Sequence, residues 1–493
     1  MAATDHQLSV PELSSFIGGE WVSRGAAVPD TSPADPSELV ATVSLADSGA
    51  ATTAVDAAAA AAGPWSATSP GVRVEVLRTA ADLLEQRAEQ IGRDLTREEG
   101  KTLAESVRET QLSAKILRYY AAQALDPHGE TFPSQQPGVL LFTRQDPVGV
   151  VSVITPWNFP ISDPAWKIAP AVAFGNTVVW KPAEIVPLTS VHLVNALVDA
   201  GLPEGVLNLV LGKGSEVGEV LVRHPAVAAV TFTGSNQIGR LVHSKAIEAG
   251  KKVQLELGGK NPAVVLADAA LDQAAAHIAT AAFGASGQKC TATSRVIAHR
   301  SIADELVERL TAQAKAWQVG DPLDPETRVG PLSSADQTRT VLGYLAGARR
   351  DGARVVAGGA RLGGILAKGY YVPPTVLVGV EPGHAIVRDE VFGPVLTVQA
   401  VDSFDQAVAF ANDTPYGLAA SLFTSDLGAA LQFTEQSRAG IVKVNQPTSA
   451  NEYHVPFGGI QDSGSGDREL GKAARQFYTE GKTISIGPAD REE

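Results

Sequence analysis

The sequence predicts an α/β fold of two alternating strand–helix blocks. Three observations carry the prediction. Val-rich runs alternate with stretches of helical period from Asn176 to Gly259, which is the pattern of βαβ units around a parallel sheet with helices on both faces. A second alternating block follows from Pro262 to about Val444. The 493 residues also exceed what one ordinary core can organise, so more than one domain is expected.

Residues 51–62 (ATTAVDAAAAAA) are Ala-rich and favour a helix. Two longer helices are predicted near 71–97 and 100–125, the first from the spacing of Val74, Leu77, Ala81 and Leu84. After the turn-rich PHGETFPSQQPG, the stretch GVLLFTRQDPVGVVSVIT reads as two extended runs broken at Asp146-Pro147. Strand NTVVWKP, helix 187–200, strand VLNLV, helix 215–223, strand AAVTFTG, helix 236–249 and strand KVQLELGG complete the first block. Gly258-Gly259 is the natural boundary between the blocks, and no fixed-period repeat is present.

The composition bounds the function. With 44% hydrophobic and 19% charged residues the chain is globular rather than disordered. Its net charge of −14 argues against nucleic acid or an anionic membrane surface as partner. No apolar run approaches the roughly 20 residues of a membrane span. The N-terminus MAATDHQLSVPEL lacks a basic start before an apolar stretch, so a secretory signal is not expected and a cytoplasmic location is the default. A single cysteine excludes an intrachain disulfide, and the nine histidines form no HExxH, so no metal site is expected.

Several short motifs carry chemistry, and each alone also has a plain structural reading. TFTGSNQIG (231–239) is a strand, a Gly turn and a helix start, where backbone N–H groups and the helix dipole favour a phosphate. Arg240-Leu241 stand where a Walker loop needs Lys and Ser/Thr, and GKGSEVG is one residue too long for GxGxxG. WKPAE (180–184) ends a strand at its carboxyl edge, where α/β sheets bind ligands. Its Lys suits ribose hydroxyls and its Glu a free 2′-OH; it reads equally as a solvated loop. TPWNFP (155–160) is a rigid turn whose Asn158 offers an N–H donor for an oxyanion, or simply turns the chain. LELGGK (255–260) sets Glu256 in an apolar strand end, where a raised pKa suits a general base. FGASGQKC (283–290) places the only cysteine after a small-residue loop, with Lys289 beside it to favour a thiolate. EVFGP (390–394) and PFGG (456–459) read by themselves only as loops.

Taken together and in order, TPWNFP, WKPAE, FTGS, LELGGK, GQKC, EVFGP, PYGLAA and PFGG resemble the aldehyde dehydrogenase superfamily, from about Phe16 to about Thr483. The resemblance implies a Rossmann-like cofactor domain (1–125 and 148–257), an α/β catalytic domain (258–473) and a β oligomerisation arm (126–147 and 474–493). It implies Cys290 as nucleophile, Asn158 with the Cys290 N–H as oxyanion hole, and Glu256 as base. Glu469, in RELG, falls where some members carry a second carboxylate for proton relay; one extra residue separates PFGG from RELG here. Thr155, Pro156 and Trp157 would lie along the cofactor. Lys181 and Glu184 would hold the adenosine ribose, Gly234 and Ser235 the pyrophosphate, and Ile238 would lie near the adenine. Glu390 would bond the nicotinamide ribose with Phe392 packed beside it. The cofactor implied is NAD, with NADP as the alternative, and the assembly a homodimer or homotetramer.

The chemistry implied is thiolate attack on an aldehyde, oxidation to a thioester by the nicotinamide, and hydrolysis by a base-activated water. AGIVKVNQPTSANEYHVPFGG and GQKCTATSR resemble the branch that oxidises α-ketoglutarate semialdehyde; other small aliphatic, aromatic or anionic aldehydes share much of the pattern. A carboxylate-bearing aldehyde needs a cation or a cluster of N–H and O–H donors facing the Cys290 sulfur. Arg295 and Lys167 are available, and each reads first as a structural ion-pair partner. Two rival readings stand at this point. A cysteine hydrolase would need a His base, and no His flanks a motif. A non-enzymatic structural member of the fold would not need Cys290, Glu256 and Asn158 together.

Overall fold

The computed structural model describes residues 10–23 and 25–489. Residues 1–9, on which the expectation of no secretory signal largely rests, and 490–493 at the end of the expected arm lie outside the described residues.

The first sheet has eight strands in the order Gly464–Ser465, Lys252–Glu256, Val227–Thr233, Val150–Ile154, Thr177–Lys181, Leu207–Leu209, Ser15–Ile17, Glu20–Val22. The five from Lys252–Glu256 to Leu207–Leu209 are parallel. Their Val and Leu side chains are buried on both faces, which is why these segments read as near-continuous apolar runs. Chain order reverses beside Val150–Ile154: later strands fall on one side through Thr177–Lys181 and on the other through Val227–Thr233. At such a reversal the loops leaving the carboxyl ends part and open a cleft. TPWNFP leaves one of these strands and the FTGS turn the other.

The Ala-rich segment forms the helix Ser48–Ser66 and buries Ala50, Ala51, Ala54 and Ala58. Small side chains let it lie close on the sheet, where Thr177 Oγ1 donates to the Ala58 carbonyl at 2.9 Å. The single helix predicted near 71–97 is two, Pro70–Gln86 and Ala88–Glu99, meeting at Arg87 with φ −95° and ψ 6°. Leu84, Ala88, Ile91 and Leu95 keep helical spacing across the break, so periodicity alone cannot show it. The bend brings Glu98 to the start of Pro187–Asp199, where its carboxylate accepts from the N–H groups of Leu188 (2.5 Å) and Thr189 (2.9 Å). Leu103–Gln123 follows, opened by a capping box of Thr102 and Glu105.

The second sheet has seven strands in the order Arg354–Ala357, Thr375–Val378, Val395–Val401, Thr293–His299, Asn261–Val265, Ala419–Phe423, Ile441–Val444. All its pairings are parallel except the first. The chain passes from one sheet to the other through Leu257–Lys260. It later returns: Gly464–Ser465 pairs with Leu255 and Glu256, and helix Ala474–Tyr478 buries Ala474, Phe477 and Tyr478 in the core of the first sheet. Those residues had been assigned from sequence to the second block and to the arm. The extended run Leu140–Pro147 finds its partner in the chain's own tail, Thr479–Ile486, with Thr131–Phe132 on its other side. The free edge therefore belongs to Thr479–Ile486. Among the described residues no helix is long and apolar enough to cross a membrane.

Trp180 ties the central strands to the loop that follows them. It is fully buried, and its Nε1 donates to Thr155 Oγ1 at 2.9 Å. Trp180→Phe should cost about 1 kcal/mol through the lost hydrogen bond, and Trp180→Ala about 3–5 kcal/mol through the cavity it leaves. Differential scanning calorimetry reads both; an Ala variant melting with the parent protein contradicts this packing.

Candidate active site

A cavity of about 280 Å³ lies between the two sheets at the strand reversal. Pro156, Trp157 and Asn158 line it from the loop after Val150–Ile154; Thr233, Gly234 and Ser235 line it from the loop after Val227–Thr233. Cys290, Glu390 and Phe392 close it from the second block. The structure thus brings together residues that lie up to 236 positions apart in the sequence, between Pro156 and Phe392.

Cys290 follows a loop under backbone strain. Ala285 (φ 50°), Ser286 (φ 53°) and Gly287 (φ 69°) occupy the left-handed region in succession. Gly287 must be glycine for a second reason: a Cβ there would stand 2.2 Å from the Gly393 carbonyl. The strain is held by Glu105, which accepts from the Ala285 N–H at 2.8 Å, and by Ser286 Oγ donating to the Gly330 carbonyl at 2.9 Å. Asn158 is buried and donates through Nδ2 to the Gln288 carbonyl at 2.9 Å, which pins it beside the cysteine and leaves its second amide hydrogen free. The Asn158 carbonyl accepts from Lys101 Nζ at 2.7 Å.

Lys289 does not activate the thiol as the sequence suggested. Its ammonium turns away to donate to the Thr280 carbonyl at 3.1 Å. Burial, reinforced by the negative charges of Glu390, Glu256 and Asp163, instead pushes the Cys290 thiol well above its ordinary range. The resting group is therefore a neutral thiol that needs a base.

Glu256, at the end of Lys252–Glu256, is buried just behind the cavity wall rather than on its surface. Its Oε2 accepts from the Gly459 N–H at 3.3 Å. A Cβ on Gly458 (φ +150°) would lie 2.4 Å from its Oε1, so PFGG is a close backbone approach to this carboxylate. Burial, then the charge of Glu469, raises the Glu256 pKa well above the usual carboxylate value; Lys167, the Gly459 N–H and Arg468 oppose the rise. Glu469 is buried deeper, paired with Lys167, which also donates to Thr231 Oγ1 at 3.1 Å. One helical turn before Lys167, Asp163 faces the cavity; its Oδ1 accepts from Thr233 Oγ1 at 3.3 Å. Burial lifts Asp163 to about 7, with Lys167 opposing and Glu469 adding to the rise. Lys167 is thus the countercharge of a buried acidic cluster and is not open to a substrate. Arg295 is likewise structural: its guanidinium donates to the carbonyls of Lys260, Phe410 and Ala411 at 3.1, 2.9 and 2.9 Å.

The remaining residues lie in and around the cleft. Gly259 N–H donates to Glu390 Oε1 at 2.9 Å, and a Cβ on Gly258 would stand 2.1 Å from Glu390 Oε2. Phe392, itself at φ 54°, meets Trp157 edge to face with centroids 5.4 Å apart. Gln337 holds this loop by donating to the carbonyls of Val391 (3.1 Å) and Phe392 (2.8 Å). Ser235 caps Asn236–Glu248, and Ile238 in the first turn is exposed, as an apolar side chain facing a bound base would be. Gly234 is forced, since its Cβ would stand 2.6 Å from the Phe232 ring. Lys181 and Glu184 lie outside the cavity lining, beside the start of Gly214–Arg223: Glu184 Oε1 accepts from the Gly214 N–H at 3.0 Å. Thr155 sits beneath the cavity, its N–H bonded to the Lys181 carbonyl at 3.1 Å.

A parallel sheet with a cleft at its strand reversal, facing a cysteine held beside an amide donor, defines a dinucleotide-dependent dehydrogenase. The chain belongs to the aldehyde dehydrogenase family, whose model matches residues 21–484. It is 42% identical over 477 residues to an alpha-ketoglutaric semialdehyde dehydrogenase of Bacillus subtilis, covering 96% of this chain and 98% of the relative. It is 44% identical to an alpha-ketoglutarate semialdehyde dehydrogenase of Haloferax volcanii, covering 95% and 98%. Among solved structures it is similar to betaine aldehyde dehydrogenase from Staphylococcus aureus in complex with NAD+, with a TM-score of 0.94, 34% identity and coverage of 97% and 95%. The protein is an aldehyde dehydrogenase, an oxidoreductase acting on aldehydes.

Sequence reasoning missed Asp163, Gln337 and the pairing of Lys167 with Glu469. Helical spacing of Asp163 and Lys167 was a usable signal; nothing local marks the other two. The half-buried Glu390 has its pKa pushed up to about 7 by burial, opposed by the Gly259 N–H and Lys260. A carboxyl that holds its proton more tightly when folded adds stability below its unfolded pKa and loses it as pH rises through about 7. Glu390→Gln should therefore melt higher relative to the parent protein at pH 8 than at pH 5, the gap widening by about 2–4 °C. A gap independent of pH in thermal melts contradicts this.

Proposed function

We propose that the chain oxidises α-ketoglutarate semialdehyde to α-ketoglutarate through a thioester on Cys290. The observation that carries the mechanism is one cavity holding a half-buried neutral thiol, an Asn158 amide pinned beside it, and a carboxylate of raised pKa directly behind the wall. The substrate rests on the named relatives in Bacillus subtilis and Haloferax volcanii.

The Cys290 sulfur passes its proton to Glu256 and bonds to the aldehyde carbon. The carbonyl electron pair moves to oxygen, where the free Asn158 hydrogen and the Cys290 N–H stabilise it. A bound NAD would supply the acceptor for the hydride of this carbon. Glu390, Phe392, Trp157, Thr155 and Pro156 would hold its nicotinamide end. Gly234 and Ser235 would hold the pyrophosphate, Lys181 and Glu184 the ribose, and Ile238 the adenine. The resulting thioester is attacked by water as Glu256 takes the water proton. The Cys290 thiolate leaves and takes back one proton, and the proton released by the reaction passes from Glu256 into the buried cluster of Glu469, Lys167 and Asp163. No histidine lines the cavity, so the base of a cysteine hydrolase is missing. The strand Thr479–Ile486 offers an edge through which a cytoplasmic homodimer or homotetramer would assemble.

Rapid mixing tests the thioester. Glu256→Gln should release about one equivalent of reduced cofactor per site in a burst and then turn over slowly, since deacylation limits the rate. Cys290→Ala should show neither burst nor turnover while binding NAD. Undiminished turnover in either variant overturns the mechanism.

Cofactor choice follows from Glu184. Its carboxylate would accept from a free ribose hydroxyl, whereas a 2′-phosphate would meet like charge there. The kcat/KM for NAD should exceed that for NADP by about tenfold, and Glu184→Gln should narrow the ratio. A higher value for NADP in the parent protein contradicts this.

A further inference from the structure

The cavity that holds Cys290 carries two carboxylates and no counterion. Asp163 and Glu390 line it, and among the described residues no lysine or arginine does. Neither carboxylate is spent in an ion pair. Lys167, four positions after Asp163 in the helix Ser162–Ala173, is paired with Glu469 and also bonds Thr231 Oγ1 at 3.1 Å. Lys260, the cation that opposes the rise at Glu390, donates to the Asp389 carbonyl.

Half of the Asp163 carboxylate is also without a hydrogen bond. Its Oδ1 accepts from Thr233 Oγ1 at 3.3 Å, which ties together the two segments that frame the cleft. Its Oδ2 is buried and meets no hydrogen-bond partner among the described residues. Asp163 stands in the first turn of its helix, where its N–H donates to the Phe159 carbonyl at 3.0 Å. A buried acceptor of this kind is costly unless something that enters the cavity satisfies it.

The reaction dictates what enters. A hydride leaves the carbon on the Cys290 sulfur only for an acceptor held within a few ångströms, so the nicotinamide end of NAD has to share this cavity with the sulfur. The oxidised nicotinamide ring is a cation; the reduced ring is neutral. Two carboxylates without counterions, one of them with an open buried oxygen, fit the oxidised form.

We propose that Asp163 is the residue by which the protein tells the oxidised ring from the reduced one: as a carboxylate it favours the cation, and after hydride transfer it takes the proton that the reaction releases. The proposal rests on the cofactor and the thioester route given above. Aldehyde, water and oxidised cofactor give the acid, the reduced cofactor and one proton. Charge is conserved when the ring loses its positive charge and the Asp163 carboxylate becomes a carboxyl. Burial lifts Asp163 to about 7, Lys167 and Thr233 oppose the rise, and Glu469 and Glu109 add to it. Asp163 in turn acts on Cys290 and Tyr478, and Glu390 lines the same cavity. A cationic ring lowers the proton affinity of Asp163 and a neutral ring restores it. Binding of the oxidised cofactor therefore tightens as pH rises through about 7, and binding of the reduced cofactor does not.

Equilibrium titrations of the full chain with NAD, NADH and ADP-ribose test this in the parent protein and in Asp163→Asn, which keeps an acceptor for Thr233. Asp163→Ser is a second neutral variant that reads the same quantity. At about pH 8, above the Asp163 pKa, the ratio of Kd for NADH to Kd for NAD should be about tenfold larger in the parent protein than in either variant. That difference corresponds to about 30 mV in the potential of the bound cofactor. At about pH 5 the ratios should converge, because Asp163 is then protonated. ADP-ribose has no nicotinamide ring, and its Kd should be the same in all three proteins. Ratios that agree at the higher pH overturn the role of Asp163 and leave the thioester route standing. Equal losses for all three ligands overturn it too, since they assign Asp163 to the shape of the cleft. A parent protein that binds neither NAD nor NADH overturns the reading of the cleft itself.

Discussion

The contact between the Gly258-Gly259 turn and Glu390 is the constraint on which the site depends. The chain leaves the first sheet after Glu256 and enters the second at Asn261. In that short crossing the Gly259 N–H takes the Glu390 carboxylate, and the bare Cα of Gly258 lets its other oxygen come close. The EVFGP loop of the second sheet is thereby fastened to the edge of the first. Trp157 then meets Phe392 across the gap, and the cavity between the sheets has fixed walls. Any side chain at residue 258 would push the loop away and open the cleft on the side where a nicotinamide must be held.

Against that frame the protein buries more acid than it neutralises. Asp163, Glu256 and Glu469 lie in or behind the cavity wall, with Lys167 as the central buried cation. Burial raises the pKa of Asp163 and of Glu256, which makes each a stronger base than an exposed carboxylate. This suits a reaction that must accept a proton twice, once from the thiol and once from water. Burial, and then the charges of Glu390, Glu256 and Asp163, push the Cys290 thiol well above its ordinary range.

The backbone carries its own share. Three left-handed residues in succession before Cys290, and left-handed Phe392 across the cavity, are conformations that the surroundings must enforce. Glu105 illustrates how: one carboxylate caps the helix Leu103–Gln123 and holds the Ala285 N–H of the nucleophile loop. Helix start and catalytic loop are therefore one unit.

The alternation of strand and helix and the placing of Asn158, Glu256 and Gly234 at or just after strand ends were legible in the sequence, and Cys290 and Glu390 were legible as loop residues. Each depends on local periodicity or on a short motif whose residues are neighbours in the chain. What tertiary structure alone decided involves residues brought together from far apart. Lys167 pairs with Glu469 across 302 positions, Gly259 bonds Glu390 across 131, and Gly464–Ser465 returns to the first sheet. The break at Arg87 was hidden because apolar spacing continues through it. Sequence adjacency to Cys290 says nothing about the direction of Lys289: its ammonium turns to the Thr280 carbonyl while Cys290 faces the cavity. Local pattern specifies which chemistry is available, and long-range packing determines which groups face one another.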